Sequence, residues 1–547
     1  MPPFLTLHHP RSAAAYYRTG LWQDDTFYTL LRRNADLAPQ RLALVDGGTG
    51  MDWRTLLARV DGLAADLGTY GLRTGDRVCG WMPNRAEMVI AMLACSREGY
   101  AFNPSLHRSH TAAEVGQLLN GLSARALLME EGWGADAETA NLTAILAGVA
   151  SLKAVYTPES FPAPGPNRSA WQSDPDAVAY LAHTSGSSGA PKCVMHSANT
   201  LLANARELAR DWRLDPETVI YPVSPLSHHI AWVAFGQWLL TGCRYVLNNP
   251  PPGMSTLDWI IASGATYVLG VPTHALDLIA EEARRGCGFG RIRQFYLAGA
   301  PIPAELCEDF RARGIIPQNV YGMTENSSHH YTLPGDGPRI VSTTCGRGGQ
   351  AYEVRIFDES DPDRALPPGQ VGQIGGRGAA LMLGYFANQR ATETSFNREG
   401  WFMSGDLGML DAEGNLKVVG RLKDAIIRGG HNIYPAHIEQ AALTHPGVRQ
   451  AACVPVPDRR LGERVCLALS GGASPDEVLA VLRGRGLSKY DMPEYMLNLP
   501  ALPVLPSGKI HKRELSERIR RRELEPVMVT PQRRGEAPRG MARMTKP

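Results

Sequence analysis

"HTSGSSGAPKCVMHS", His183–Ser197, gathers the hydroxyls of Thr184, Ser185, Ser187 and Ser188 around Gly186 and Gly189 and closes on Pro191 and Lys192. Such a run is either a flexible linker or a loop that wraps an anion, because small residues let backbone N–H groups converge on one point. The apolar run "AVAYLAHTS" (177–185) ahead of it reads as a strand, and the pattern at 201–212 behind it reads as a helix. A loop that leaves a strand and opens a helix is where N–H donors and the helix dipole meet phosphate. No Gly-Lys-Ser/Thr ends the loop, so it is not a Walker A loop, and Gly-x-Ser-x-Gly is missing, so it is not a nucleophile elbow.

Outward from the loop the chain alternates strand and helix. "DRVCGWM" (76–82), "ARALLM" (124–129), "TVIYPVS" (218–224) and "ATYVLGVP" (265–272) read as buried strands. "NRAEMVIAMLACSREG" (84–99) reads as a helix with Asn84 as N-cap and Gly99 as stop. The alternation predicts an α/β fold whose parallel sheets are covered by helices. Over 339–420 the pattern changes to short strands, "YEVRIFD", "VGQIGGRG" and "GNLKVVGR", broken by Gly, Pro and Asp, which predicts a β-rich subdomain. A small α+β unit follows over 424–525, and the Pro/Arg/Gly-rich tail from about 526 is expected to be disordered.

The bulk numbers exclude several classes. At 547 residues the chain is too long for one core. A net charge of +2 gives no global attraction to nucleic acid or to a membrane surface. The nine cysteines stand singly with no CxxC pair, which argues against a zinc knuckle or redox dithiol and fits a reducing compartment. The start "MPPFLTLHHPRSAAAYYRTG" has no continuous apolar region of signal-peptide type. The longest apolar run, "IAWVAFGQWLL" (230–240), falls short of the ~20 residues that span a bilayer. A cytoplasmic protein without integral membrane association is the expectation.

Four more stretches accompany the glycine loop. "NVYGMTEN" (319–326) places Thr324 and Glu325 after an apolar strand end, where the pair reads as a helix cap before it reads as a metal site. "WFMSGDLG" (401–408) carries Asp406 after small residues and reads locally as a turn. "GRLKDAIIRGGHNIYPAHIE" (420–439) joins Arg421 and Lys423 to Gly429-Gly430, and "LPSGKIHKREL" (505–515) sets Lys509 on a glycine turn. Together, and in this order, the motifs resemble the ATP-dependent acyl-adenylate-forming superfamily of acyl- and aryl-CoA synthetases, peptide-synthetase adenylation domains and luciferases. The resemblance runs from about residue 24 to 520. "NPSLHRSHT" (103–111), "PKCVMHSANTL" (191–201) and "KDAIIRGGHNIYP" (423–435) look most like bacterial CoA ligases of the medium-chain and cyclohexanecarboxylate type.

The resemblance implies a large adenylation domain, 1–422, a mobile C-terminal lid, 423–525, hinged at Lys423, and the tail 526–547. It implies ATP, Mg²⁺ and coenzyme A as cofactors and a small carboxylic acid as substrate, activated as acyl-AMP and then passed to the thiol. By motif position Thr184, Ser185, Gly186, Ser187, Ser188, Gly189 and Lys192 cradle the β- and γ-phosphates. Thr324 takes the α-phosphate and Glu325 holds Mg²⁺. Gly299, Ala300 and Pro301 frame the adenine with Tyr321, and Asp406 and Arg421 take the ribose hydroxyls. Lys509 bridges carboxylate and α-phosphate, and Gly429 and Gly430 let the pantetheine arm pass. His228, His229, Ile230, Trp232 and Val320 line the acyl pocket, Val320 standing where many relatives carry glycine.

Adjacent histidines at 228–229 and 329–330 are expected to point apart, against a metal reading. Cys193 replaces a usual glycine and raises the prospect of a reactive thiol. Ser187-Ser188 replace the commoner Thr-Thr with hydroxyls kept. Two alternatives stand beside the CoA ligase: an enzyme that loads a carrier-protein phosphopantetheine, and a non-catalytic nucleotide-binding relative. "PLSH" (225–228) lacks the Asp that would meet an α-amino group, which disfavours amino acids.

Overall fold

The strands that read as unbroken apolar runs lie in the middle of two sheets. All five residues of Arg77–Trp81 and all four of Tyr267–Gly270 are buried, as expected where helices cover both faces of a parallel sheet. The computed structural model describes residues 4–166, 170–184, 191–300, 302–429, 431–504 and 510–529. It divides into one unit that ends at Val418 and a second that starts at Val419.

In the first unit an eight-stranded sheet runs in the order Ser327–Tyr331, Ile316–Met323, Gln294–Ala298, Tyr267–Gly270, Val219–Pro222, Arg244–Val246, Leu42–Asp46, Thr49–Asp52. Its inner pairings are parallel and only the two outermost are antiparallel. A six-stranded sheet runs Ala154–Tyr156, Ala126–Met129, Arg77–Trp81, Ala101–Asn103, Val178–Thr184, Lys192–Ser197, antiparallel only at the last pair.

One apolar core joins the two sheets through helices Phe27–Leu37, Trp53–Thr69, Ala86–Glu98 and His229–Thr241. Ala86–Glu98 is buried in every residue but the last, which is why its sequence has no polar stripe. Its most deeply buried charge, Arg97, pairs with Asp61 at 2.9 Å and also bonds the Tyr28 hydroxyl, so an ion pair ties three helices together. Helices Thr256–Ser263, Pro272–Arg285 and Ala304–Ala312 cover the outer face of the larger sheet, and Ala112–Leu122 with Leu142–Ala147 cover that of the smaller.

Tyr352–Phe357, Gly372–Gly378, Phe402–Leu410 and Leu416–Arg421 form the β-rich sheet, accompanied by short helices Pro338–Thr343 and Gln389–Glu393. The second unit carries a mixed sheet ordered His431–Ile433, Ile426–Arg428, Gly462–Gly471, Tyr495–Leu499, Val527–Met528, with Val448–Asp458 paired to Gly462–Gly471. Helices Pro435–Leu443, Pro475–Gly484 and Lys512–Arg520 pack on it.

Several expectations are corrected. Gly99 does end its helix, in the left-handed conformation a glycine adopts without strain, but Asn84 does not cap it. The helix starts after Arg85, and the Asn84 amide instead ties the Leu226 N–H to the Asn248 carbonyl. The glycine loop does not open a helix. It joins antiparallel strands with Thr184 opposite Lys192, and helix Ala198–Asp211 begins only after Ser197, which caps it. Val527–Met528, placed in the expected tail, is a strand that pairs with Tyr495 and Met496; residues 530–547 lie outside the described residues. Among the described residues no helix is long and apolar enough to cross a membrane.

Candidate active site

Parallel sheets place ligands beyond the carboxyl ends of their strands. Gln294–Ala298 and Ile316–Met323 end side by side there, Ala298 opposite Val320, with Gly299 and Ala300 exposed just past the first. The second strand turns back into Ser327–Tyr331, and Thr324 and Glu325 occupy that turn rather than a helix cap. A side chain at Gly322 would meet the Ser327 carbonyl oxygen at 1.7 Å, so only glycine lets the turn close. His196 pins the turn from the other sheet: its Nε2 lies 2.6 Å from the Thr324 carbonyl oxygen, and its Nδ1 lies 2.9 Å from Thr200 Oγ1. A carbonyl only accepts, so Nε2 carries the proton. Burial holds this imidazole down to about 4, neutral at physiological pH.

Glu325 has a partner the sequence does not reveal. Tyr385 donates its hydroxyl to Glu325 Oε1 at 2.9 Å, and the Lys192 ammonium sits 4.6 Å from the Tyr385 ring centroid. The segment 383–386 lies along strand Lys192–Ser197, with Phe386 N–H donating to the Cys193 carbonyl at 2.7 Å and Leu383 N–H to Met195 at 2.8 Å. That pairing delivers Tyr385 to both charges. Burial raises the Glu325 carboxyl above its ordinary value, opposed by the Tyr385 hydroxyl and Lys192, while the Asp406 charge adds to the rise.

Asp406 belongs to a strand, not a turn. It follows Gly405, whose φ of +76° bends Phe402–Leu410, and its carboxylate accepts from the Tyr321 hydroxyl at 2.9 Å. The residues expected at adenine and ribose are thus in direct contact. His329 stands edge-on to Tyr321, with ring centroids 5.3 Å apart. His329 and His330 do not point apart as expected; their Nδ1 atoms lie 2.8 Å apart.

His228 sits just before helix His229–Thr241 and stacks on His107, centroids 4.6 Å apart. His229 Nε2 lies 3.0 Å from Ser327 Oγ, and its ring stacks on His196. Burial holds His107 and His229 each down to about 3. Ile230 is half-buried, while Trp232 is driven fully into the core, where its Nε1 donates to the Leu226 carbonyl at 2.6 Å. Val320 is 3% exposed and packs in the same core. Cys193 is buried and its thiol is pushed well up by that burial, so the reactive thiol is not realised.

Thr184 Oγ1 donates to the Lys192 carbonyl across the mouth of the loop at 3.4 Å. In the second unit Arg421 is exposed at a strand end, Lys423 lies in the single 3₁₀ turn Leu422–Asp424, and Gly429 has a left-handed φ of +58°. Ser185, Gly186, Ser187, Ser188, Gly189, Pro301, Gly430 and Lys509 lie outside the described residues.

Residues 31–386 match the family described as AMP-binding enzyme, and residues 437–509 match the AMP-binding enzyme C-terminal domain. The chain belongs to the AMP-binding enzyme family. This AMP-binding enzyme is 29% identical to the medium-chain fatty-acid–CoA ligase of Escherichia coli (strain K12), over 96% of its own chain and 95% of the relative. It is 31% identical to a feruloyl-CoA synthase of an Amycolatopsis species, over 89% and 97%. The ATP-bound crystal structure of MatB from Rhodopseudomonas palustris superimposes with a TM-score of 0.80 at 26% identity, covering 90% of this chain and 99% of that one.

The donors present fit the groups this family implies. Thr324 and Glu325 offer only oxygen to a cation, the chemistry Mg²⁺ prefers when phosphate oxygens complete its shell. Asp406, 6% exposed, is a buried acceptor ready for a diol.

Proposed function

We propose that this enzyme is an ATP-dependent carboxylate–CoA ligase for a medium-chain, cyclic or aryl carboxylic acid, working in the cytoplasm. The observation that carries the reading is the joining of Lys192, Tyr385 and Glu325 next to the Tyr321–Asp406 pair at the strand ends. Two acidic acceptors flanked by a phosphate-directed lysine have the polarity a nucleoside triphosphate needs. In the first half-reaction the carboxylate attacks the α-phosphate and pyrophosphate leaves. In the second, the coenzyme A thiolate attacks the acyl carbon and AMP leaves.

The phosphoryl centre gathers negative charge, so catalysis rests on donors already in place. Lys192 and the glycine loop hold the β- and γ-phosphates, and Thr324 holds the α-phosphate. Glu325 and Thr324 would hold Mg²⁺, which supplies positive charge to the phosphates when bound. Asp406 and Arg421 fix the ribose, and Lys509 reaches the oxygens exchanged between acid and phosphate. Gly429 and Gly430 border the path of the pantetheine arm. The acid itself lies against His228, His229, Ile230 and Val320, with the stacked His107 behind His228. Trp232 serves as the wall's support.

Measuring pyrophosphate release over a panel of acids, with and without coenzyme A and with a carrier-protein phosphopantetheine as third arm, tests the proposal. Thioester formation with free coenzyme A is the expected result. Release that needs the carrier protein would reassign the acceptor, and no release with any acid would leave a nucleotide binder.

Two expected outcomes concern single side chains. Tyr385→Phe removes a donor to an ionised carboxylate, an interaction of about 1.5–3 kcal/mol. The apparent Mg²⁺ requirement rises about tenfold or more by that figure. Because the Tyr385 hydroxyl favours the charged form of an already raised Glu325, its loss moves the acid limb of adenylation to higher pH. An unmoved Mg²⁺ titration and an unmoved limb would remove Tyr385 from the site. Val320→Gly opens the acyl pocket, and each extra buried methylene adds about 0.8 kcal/mol, about fourfold in kcat/KM. Preference therefore shifts to longer or bulkier acids; an unchanged chain-length profile would place Val320 outside the pocket.

A further inference from the structure

The first described residues run back over the segment that carries Tyr385. Phe4 meets Phe386 edge-on, ring centroids 5.7 Å apart. The Leu7 N–H donates to the Leu383 carbonyl at 2.9 Å, although the Leu7 side chain is exposed. Helix Pro10–Arg18 follows, and beyond it Trp22, 4% exposed, donates its indole Nε1–H to the Ala379 carbonyl at 3.0 Å. The Trp22 ring lies among His8, Tyr16 and Tyr17, with centroids at 5.7, 5.2 and 6.0 Å, and packs with Ala13, Ala379 and Ala380. The arm is also tied down at its far end. Tyr17 donates its hydroxyl to Asp176 Oδ1 at 3.1 Å, Asn199 Nδ2 donates to the same oxygen at 2.8 Å, and the Gln23 N–H donates to Asn199 Oδ1 at 2.9 Å. Asp176 stands just before strand Val178–Thr184 and Asn199 lies at the start of helix Ala198–Asp211.

Segment 379–386 is therefore held from two directions, by strand Lys192–Ser197 and by the arm. Its Met382 N–H donates to the Glu325 carbonyl at 2.7 Å, and the Met195 N–H donates to the Gly384 carbonyl at 3.0 Å. Gly384, between Leu383 and Tyr385, has a φ of +108°, a bend that side chains rarely adopt, and just past it Tyr385 reaches Glu325. Leu7 holds the carbonyl ahead of this bend and Met195 holds the carbonyl after it. A hydroxyl–carboxylate bond weakens steeply as distance and angle drift, so freedom at the bend becomes lost contact at Glu325.

We propose that the N-terminal arm, residues 4–22, is a positioning element of the active site: through Leu7 and Trp22 it holds segment 379–386 so that Tyr385 stays bonded to Glu325. This rests on the reading of Tyr385 and Glu325 given above. Leu7 and Trp22 are positioning residues, whose effect on adenylation passes through Tyr385.

The test compares, in the full chain, Leu7→Pro, which removes the N–H that Leu383 accepts, with Leu7→Ala, which keeps it. Leu7 is exposed, so neither change empties a core. Trp22→Phe, which removes the indole donor and keeps a ring in place, is the second probe. Amide hydrogen exchange of the nucleotide-free enzyme reports the opening of 382–386. The Mg²⁺ concentration for half-maximal pyrophosphate–ATP exchange, with an acid that the wild type activates, reports the Glu325 site. Leu7→Pro and Trp22→Phe are expected to speed amide exchange at 382–386 and to raise the Mg²⁺ requirement about fivefold, the effect of one lost hydrogen bond. Leu7→Ala stays at wild-type values. In a Tyr385→Phe background neither variant raises the Mg²⁺ requirement further, because the hydroxyl they position is gone. A further rise in that background would overturn the proposal. So would amide exchange unchanged at 382–386, or a Mg²⁺ requirement that Tyr385→Phe moves and both arm variants leave alone. A Mg²⁺ requirement unmoved by Tyr385→Phe itself would overturn the reading of Tyr385 on which the arm's role rests.

Discussion

Lys509→Ala is expected to lower acyl-AMP formation about 10²–10³-fold, or about 3–4 kcal/mol, while ATP binding stays close to wild type. The residue stands in "PSGKIHK", after a Ser-Gly step, a position suited to present one cation. Val504 and Ile510, on either side of this segment, pair with each other, and His511 N–H donates to the Pro503 carbonyl at 2.7 Å, so its two ends are held together. The groups proposed to bind nucleotide in the ground state, Asp406 and Lys192 among them, are untouched by the substitution. A lysine that bridges carboxylate and α-phosphate gains strength only as the new bond forms, so the loss falls on rate and not on affinity. Pyrophosphate–ATP exchange within about tenfold of wild type would remove Lys509 from the reaction.

Lys423→Pro is expected to keep acyl-AMP formation and to lose most thioester formation. In the proposed function one set of residues serves adenylation and a different surface, with Gly429, serves the thiol, which requires the smaller domain to reorient between the steps. Such motions concentrate in a few torsions at a junction. The chain's own division falls between Val418 and Val419, and Lys423 follows within the short 3₁₀ turn Leu422–Asp424. Proline fixes φ near −65°, a value that a 3₁₀ turn tolerates, and narrows the choices of Leu422. The variant is thereby biased to one arrangement. Single-turnover assays of each half-reaction decide it: equal loss of both would indicate misfolding, and full retention of both would place the hinge elsewhere.

What could be read in advance was what depends on neighbours along the chain. Runs such as "VCGW" (78–81) and "YVLG" (267–270) declare buried parallel strands because they carry no charge. Gly99 declares a helix end because it alone adopts the left-handed cap freely. The roles expected of Tyr321, Glu325 and Asp406 came from the resemblance of their motifs to a family, because locally Asp406 reads as a turn and Thr324-Glu325 as a cap. What could not be read depends on chain reversal. Tyr385 is 60 residues from Glu325 and His196 is 128 from Thr324, and neither "LGYF" nor "VMHS" differs locally from ordinary core sequence. The glycine loop was harder still, since "KCVMHS" fits a strand or a first helical turn, and only its pairing with Val178–Thr184 decides. His329 and His330 depart from the rule that strand neighbours diverge, their Nδ1 atoms lying 2.8 Å apart.

The acyl-adenylate is the centre of the account, and the fate of the carboxylate oxygen tests it. A carboxylic acid labelled with heavy oxygen in its carboxylate, incubated with ATP, coenzyme A and the enzyme, should yield thioester together with AMP whose phosphate carries one labelled oxygen. Label in inorganic phosphate with ADP as the nucleotide product, or AMP free of label, would contradict it.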